Sequence, residues 1–429
     1  MPGHNGLHVP LYDLISCLAD TIDLVSPELA DHHRRVGLVA YSLGCQMGMP
    51  EAECLDLLFA GNLHDIGALS LAERIRLMEF EVDKALRHAE TGALLLELFT
   101  PLARIAGMVR FHHTRWDEGA GAVCREVPVP LGAHILHLAD RIAVLLGTVD
   151  RIRLLGRVRD IRARIESESG GMFNPQLVAA FRTLAEKESF WLGLIYPPQD
   201  PVLEKRQRFR AVRLDTEGLN GLARLFARII DFRSRFTATH SSGVAASAEA
   251  LARLAGMPDG ECAQLRIAGL LHDLGKLAVP VELLEKPAKL TPPERTIIHC
   301  HTFFTRRALE KISAFEAITA WSSYHHERID GSGYPFHVGG RDLSLGSRIV
   351  AVSDVFTAIT EDRPYRLGMD RAKAQKVIKT MVSRSALDPD VVSLLMNRYE
   401  DLNSVRMTAQ AEAVREYGEI CDRLAVLAS

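Results

Sequence analysis

Residues 265–276 read LRIAGLLHDLGK and residues 57–68 read LLFAGNLHDIGA. In the later string Leu265, Ala268 and His272 fall at i, i+3 and i+7, one face of a helix, and Leu57, Ala60 and His64 repeat that spacing 208 residues earlier. Both strings carry a His-Asp pair at the same place, so the same helix with the same polar tip is written twice.

The pattern extends into two parallel series. His32, His64-Asp65, His88, His112-His113 and Asp140 run through the first half; His240, His272-Asp273, His301, His325-His326 and Asp354 run through the second, in the same order. The register drifts only slightly, from 208 between His32 and His240 to 214 between Asp140 and Asp354. Ile22-Asp23 and Ile230-Asp231 recur likewise, as do Asn174-Pro175 and Asp388-Pro389. This is an internal duplication.

Tyr196-Pro197-Pro198-Gln199-Asp200-Pro201 and the charged run 204–210 mark a surface connection between the copies. The expected organisation is a first domain over 1–196, a linker over 197–214 and a second domain over 215–429.

Both copies read as helical. After His240, Val244, Ala248, Leu251 and Ala255 recur at helical spacing until Gly256 and Pro258 end the run, which turns His240 toward the core. Val36, Ala40 and Leu43, followed by Gly48 and Pro50, repeat the arrangement. Long alternating β-branched runs are absent, so the expected fold is all-α, two tandem helical domains with about five to seven helices around each site.

Composition fits this. At 429 residues, 47% hydrophobic and 24% charged, the chain has the balance of a globular protein with more than one core. Lys plus Arg is 51 against 54 for Asp plus Glu, a net charge of −3, so no basic excess draws it to long nucleic acid. No apolar run reaches the roughly 18 residues of a membrane span, and Met1–Pro10 lacks the layout of a secretory signal. A cytoplasmic location is expected, and a homodimer is left open. The seven cysteines, at 17, 45, 54, 124, 262, 300 and 421, form no C-x-x-C pair and read as reduced thiols, Cys300 included.

Any one of these histidines alone would read as a satisfied core residue. Five histidines and two aspartates converging in each half would leave buried polar groups unpaired unless a cation sits among them. Nitrogen and carboxylate donors without thiolates favour Mn, Fe, Co, Ni or Zn, and the set is larger than one tetrahedral ion uses. Two ions per site follow, roughly 3.5 to 4 Å apart, bridged by Asp273 in the second copy and Asp65 in the first.

His272-Asp273 with Gly275-Lys276 and Pro280, then His301, then His325-His326-Glu327-Arg328-Ile329-Asp330-Gly331-Ser332-Gly333-Tyr334-Pro335, resembles the HD-GYP family of the HD phosphohydrolase superfamily. Asp354-Val355-Phe356-Thr357-Ala358-Ile359 and Arg363-Pro364-Tyr365-Arg366 extend the likeness over about residues 215 to 400. The resemblance implies a metal-dependent phosphodiesterase, using iron or manganese, that hydrolyses a cyclic dinucleotide, chiefly cyclic di-GMP, with cyclic GMP-AMP a contender. It implies His240, His272, Asp273, His301, His325, His326 and Asp354 as ligands, and Lys276, Arg363 and Arg366 as phosphate contacts. Asp273 and Lys276 are then the catalytic pair, with Gly333 and Tyr334 passing close to the ligand. Family members with a third metal carry a glutamate four residues before the first histidine. Phe236 stands there, so the second copy is expected to hold two divalent ions.

The first copy keeps His32, His64, Asp65, His88, His112, His113 and Asp140, and Glu28 supplies the missing glutamate, so a further metal site is expected there. Ala68 replaces the lysine, and neither the glycine-rich loop nor the Arg-Pro-Tyr-Arg string follows. It resembles a divergent HD domain: metal-binding with reduced catalysis, active on another substrate, or empty scaffold. For the whole chain three rivals stand beside the phosphodiesterase: a non-catalytic cyclic-dinucleotide receptor, an HD hydrolase of other nucleotides, and oxygen chemistry at a di-iron site.

Overall fold

Helix His32–Gln46 ends where Gly48 turns with φ +74°, and Pro50 leads into helix Glu51–Leu63. Gly256 (φ +75°) and Pro258 perform the same turn between His240–Leu254 and Asp259–Leu271. Only glycine takes this left-handed conformation without strain, so each reversal is fixed by sequence.

The paired helices then cross closely. A Cβ on Gly61 would meet the Cα of Gly37 at 2.5 Å, and one on Gly269 would meet the Cα of Ala245 at 2.6 Å. This approach brings the end of the second helix, with its His-Asp pair, beside the start of the first. Val36, Ala40, Leu43, Leu57 and Ala60 are wholly buried in one copy, and Val244, Ala248, Leu251, Leu265 and Ala268 in the other. Each large aliphatic chain so buried contributes about 1.5–3 kcal/mol. Ala255 lies one residue past its helix and is half-buried.

The computed structural model describes residues 8–68, 70–81, 86–147, 154–196, 211–233, 239–362 and 367–428. The chain forms two compact units: Pro10–Val212 is the first, and Arg213–Ser429, with which Val9 groups, is the second. Most of the sequence's expected connection, 197–210, lies outside the described residues. Both units are helical, and the only strands among the described residues are two or three residues long. In the first unit His32–Gln46 packs on Glu51–Leu63 and Leu131–Leu146; in the second His240–Leu254 packs on Asp259–Leu271, Leu345–Thr360 and Tyr399–Ala428.

The recurrent Asn-Pro and Asp-Pro pairs start helices. Asn174 accepts the amide of Gln176 at 2.8 Å, and Asp388 accepts those of Asp390 and Val391 at 2.8 and 3.0 Å, each with proline as the first helical residue.

Candidate metal centres

Five elements of each unit deliver the polar residues, in matching order. In the second unit His240 opens its helix, His272-Asp273 follow Asp259–Leu271, and His301 sits within Pro292–Leu309. His325-His326 follow Glu316–Ser323 and Asp354 lies within Leu345–Thr360. A Cβ on Gly275 would meet the His301 carbonyl oxygen at 1.9 Å, so this glycine lets the His301 helix lie against the His-Asp turn.

All seven side chains converge. His240 Nε2 lies 3.0 Å from Asp354 Oδ1, and His326 Nδ1 lies 3.8 Å from Asp354 Oδ2. Asp273 spans the centre, with Oδ2 3.3 Å from His272 Nε2 and Oδ1 3.4 Å from His301 Nε2. Two donor groups result, His240-His272-Asp273 and His301-His325-His326. Lys276, in the short turn Leu274–Ala278, donates from Nζ to Asp273 Oδ2 at 2.5 Å.

The donors are oriented by main chain. His272, His301 and His325 each donate Nδ1–H to the carbonyl three residues back, of Gly269 (2.8 Å), Ile298 (2.7 Å) and Ser322 (2.6 Å). Their Nε2 lone pairs are thereby aimed into the centre. Burial and neighbouring imidazoles hold His325 well below the usual histidine range. His301 falls to about 3 and His326 to about 4, burial being the main cause in each, against the pull of Asp273 and Asp354. Asp273 is held far below the carboxylate range: burial pushes it up, but His272 and Lys276 outweigh it. His301, His325 and His326 held neutral beside an ionised Asp273 offer the lone pairs that a divalent transition metal needs.

Glu361 was not legible beforehand. It accepts from His240 Nδ1 at 3.2 Å, and together with Asp354 it lifts that histidine to about 10 against burial. Its position seven residues after Asp354, on the same helical face, is the sequence signal.

The loop after His326 wraps the centre. Buried Glu327 accepts the amides of Phe336 (2.7 Å) and Val338 (3.1 Å), tying the loop's far end to its start. A Cβ on Gly333 would meet Glu327 Cα at 2.4 Å and Arg328 N at 2.5 Å. Tyr334 stacks on His299 with centroids 3.8 Å apart and 7° between planes, and leans on His326 at 4.9 Å. Arg363, Arg366 and Phe236 lie outside the described residues.

The first unit gathers a matching set. Asp65 has Oδ2 3.3 Å from His64 Nε2, and Oδ1 3.2 and 3.5 Å from His88 and His112 Nε2. His32 Nε2 is 3.4 Å from Asp140 Oδ1, and His113 joins the Asp65-His88-His112 group. His64 and His112 are pinned through Nδ1 to the carbonyls of Gly61 and Val109. His64 Nε2, His112 Nε2, Asp65 Oδ1 and Asp140 Oδ1 are buried and have no hydrogen-bond partner among the described residues. Burial lowers His64, but Asp65 and Asp140 outweigh it and lift the ring to about 9; a cation drawn to the same oxygens would take that proton's place, so these residues suit a metal.

Glu28 corrects the expectation. It is exposed in the short turn Pro27–Leu29 and accepts from Ser26; because the helix begins only at His32, the residue four positions earlier is not on its inner face. The unit instead contains residues that the repeat could not show. His33 pairs with Asp23 where the second copy has Ser241 and Asp231. Buried Arg141 grips Asp140 at 2.5 Å and the Leu77 and Phe80 carbonyls at 3.0 and 3.2 Å. His137 is buried 6.1 Å from His113, centroid to centroid.

Models described as HD domain match residues 29–145 and 224–391. The chain is 32% identical over 403 residues to 3'3'-cGAMP-specific phosphodiesterase 1 of Vibrio cholerae, covering 91% of this chain and 92% of that protein. Phosphodiesterase 3 of the same kind and organism matches at 28% over 90% and 94%. The cyclic di-GMP phosphodiesterase PA4108 of Pseudomonas aeruginosa matches at 44% over 140 residues, 32% of this chain and 34% of that one. The crystal structure of a cyclic GMP-AMP specific phosphodiesterase of V. cholerae, 23% identical, superposes with a TM-score of 0.59 over 95% of this chain and 98% of its own, and shares the fold. The chain therefore belongs to the HD-GYP family of the HD phosphohydrolase superfamily, its HD-GYP half preceded by a divergent HD domain.

Proposed function

We propose that this protein is a metal-dependent phosphodiesterase that opens a cyclic dinucleotide to its linear form, with the second unit carrying the chemistry. One observation carries the reading: Asp273 lies between two histidine groups with an oxygen toward each, 3.3 Å from His272 and 3.4 Å from His301, and a lysine ammonium beside it. His240, His272 and Asp354 on one side and His301, His325 and His326 on the other would hold two ions, iron or manganese, with Asp273 between them. Such ions polarise phosphoryl oxygens and lower the pKa of water.

The chain's own groups supply the rest. Lys276, partly exposed at the rim, offers a point charge to a non-bridging phosphate oxygen, with Arg363 and Arg366 in the same role. Tyr334, backed by His299 and fixed by the Glu327 clamp, gives the substrate a flat wall beside His326. The first unit binds metal without performing the diester cleavage, since it has neither the glycine-rich loop nor the Arg-Pro-Tyr-Arg string. The protein acts in the cytoplasm and takes no long nucleic acid.

The full-length relatives named for 3'3'-cGAMP support cyclic GMP-AMP as the substrate. The glycine-rich loop and the 44% match to a cyclic di-GMP enzyme support cyclic di-GMP as the second reading. The test is anaerobic turnover of both by the Mn- or Fe-loaded full chain beside Asp65→Ala and Asp273→Ala, with products and bound metal read together. Loss with Asp273→Ala alone is expected. Loss with Asp65→Ala, with folding intact and the other site metallated, would reverse the assignment of the units. No hydrolysis by the fully loaded chain would leave a receptor.

A further inference from the structure

Arg74 lies on helix Leu71–Leu77, nine residues after Asp65, and is 2% exposed. Its Nε donates to the carbonyl of Ala68 at 2.8 Å. Ala68 is the residue that replaces the lysine of the second copy. Both terminal nitrogens of Arg74 are buried with no hydrogen-bond partner among the described residues. The exchange is reciprocal: the second unit has Lys276 where the first has Ala68, and exposed Glu282 nine residues after Asp273 where the first has buried Arg74.

We propose that the first unit holds an anion site for a phosphate or phosphate monoester, in which Arg74 fills from a new position the part that Lys276 fills in the second unit. Ala68, which anchors the guanidinium, itself donates its amide to the Asp65 carbonyl at 3.0 Å, so Arg74 sits against the His-Asp turn. Yet Asp65 is already surrounded by His64, His88 and His112, and Asp23 is taken by His33. Neither carboxylate, nor Glu73 next to it in sequence, bonds a terminal nitrogen of the arginine. A buried guanidinium with both terminal nitrogens bare is costly and presents a planar fork matched to two oxygens of one anion. A carboxylate would use both its oxygens on that fork. A phosphate keeps a third oxygen for a cation held by Asp65, His88 and His112.

The test uses the full chain carrying Asp273→Ala, which disables the second centre, loaded with Mn and with metal content measured. Inorganic phosphate is titrated by calorimetry, and its ³¹P relaxation reports proximity to the metal. Phosphate is expected to bind and relax, and Arg74→Met in that background is expected to bind at least about tenfold more weakly with Mn unchanged, as for lost charge-assisted hydrogen bonds. If Arg74→Met does not fold, Arg74→Lys, which keeps the charge and loses the fork, must still weaken binding. A 5'-mononucleotide that displaces phosphate identifies a monoester as the occupant; one that does not identifies free phosphate. No phosphate binding by the metal-loaded Asp273→Ala chain, or unchanged binding in the Arg74 variants, overturns the proposal.

Discussion

His301 and His325 face each other through their Nε2 atoms at 3.3 Å, while each donates its Nδ1 hydrogen to a backbone carbonyl. Both rings are held neutral, so two lone pairs meet head on, an arrangement that a cation between them resolves.

Glu361 should matter to metal retention although it is one shell removed. Glu361→Gln weakens its hold on His240 Nδ1, and metal affinity should fall about 10- to 100-fold with little change in fold. Equilibrium dialysis against a metal buffer, with circular dichroism alongside, would show it; unchanged affinity would reduce Glu361 to a packing residue.

Gly333→Ala would force a methyl into the Glu327–Arg328 backbone. The loop must move, at a cost of about 1–3 kcal/mol, and Tyr334 moves with it. The melting temperature and the KM for the cyclic dinucleotide should both worsen; a variant that keeps its KM would show that the loop does not touch substrate.

Acid should destabilise the metal-free protein. His301 and His326 sit at about 3 and 4 when folded but near 6.5 when unfolded, so the unfolded chain binds more protons between those values. Their contribution is full above about pH 6.5 and is lost as pH falls toward 4. His240, raised to about 10, acts oppositely, its contribution present below 6.5 and lost as pH rises through 10. Thermal unfolding of chelator-treated protein should therefore peak near neutrality; a melting temperature that climbs from pH 7 to 5 would contradict the reading.

Arg141→Met should strike the first unit alone. It strands buried Asp140 and frees the carbonyls of Leu77 and Phe80, which for a broken buried ion pair costs about 3–5 kcal/mol. Denaturant unfolding should lose that much, while cyclic-dinucleotide hydrolysis per folded molecule stays as before; a parallel loss of hydrolysis would show that the units depend on each other.

What the sequence revealed, it revealed by repetition. Each histidine and aspartate of the second series had a counterpart in the first, and the geometry brings both sets together. His33, Arg74, Arg141 and His137 have no counterpart, so nothing distinguished them from ordinary helix residues until their burial was known. Glu28 failed for a local reason, since the sequence does not announce that the helix starts after it. Glu327 was quoted only as part of the loop, because its work is done on amides nine and eleven residues away.

The i−3 carbonyls that pin His64, His112, His272, His301 and His325 belong to the peptide backbone, which mutation of side chains leaves in place. A duplicated copy can therefore exchange its lysine for alanine, acquire two buried arginines and drop its glycine-rich loop while its imidazoles keep their aim. Such a scaffold separates inheritance of the donor cage from inheritance of what the cage acts upon, and lets one chain explore a new ligand while the other copy keeps the old one.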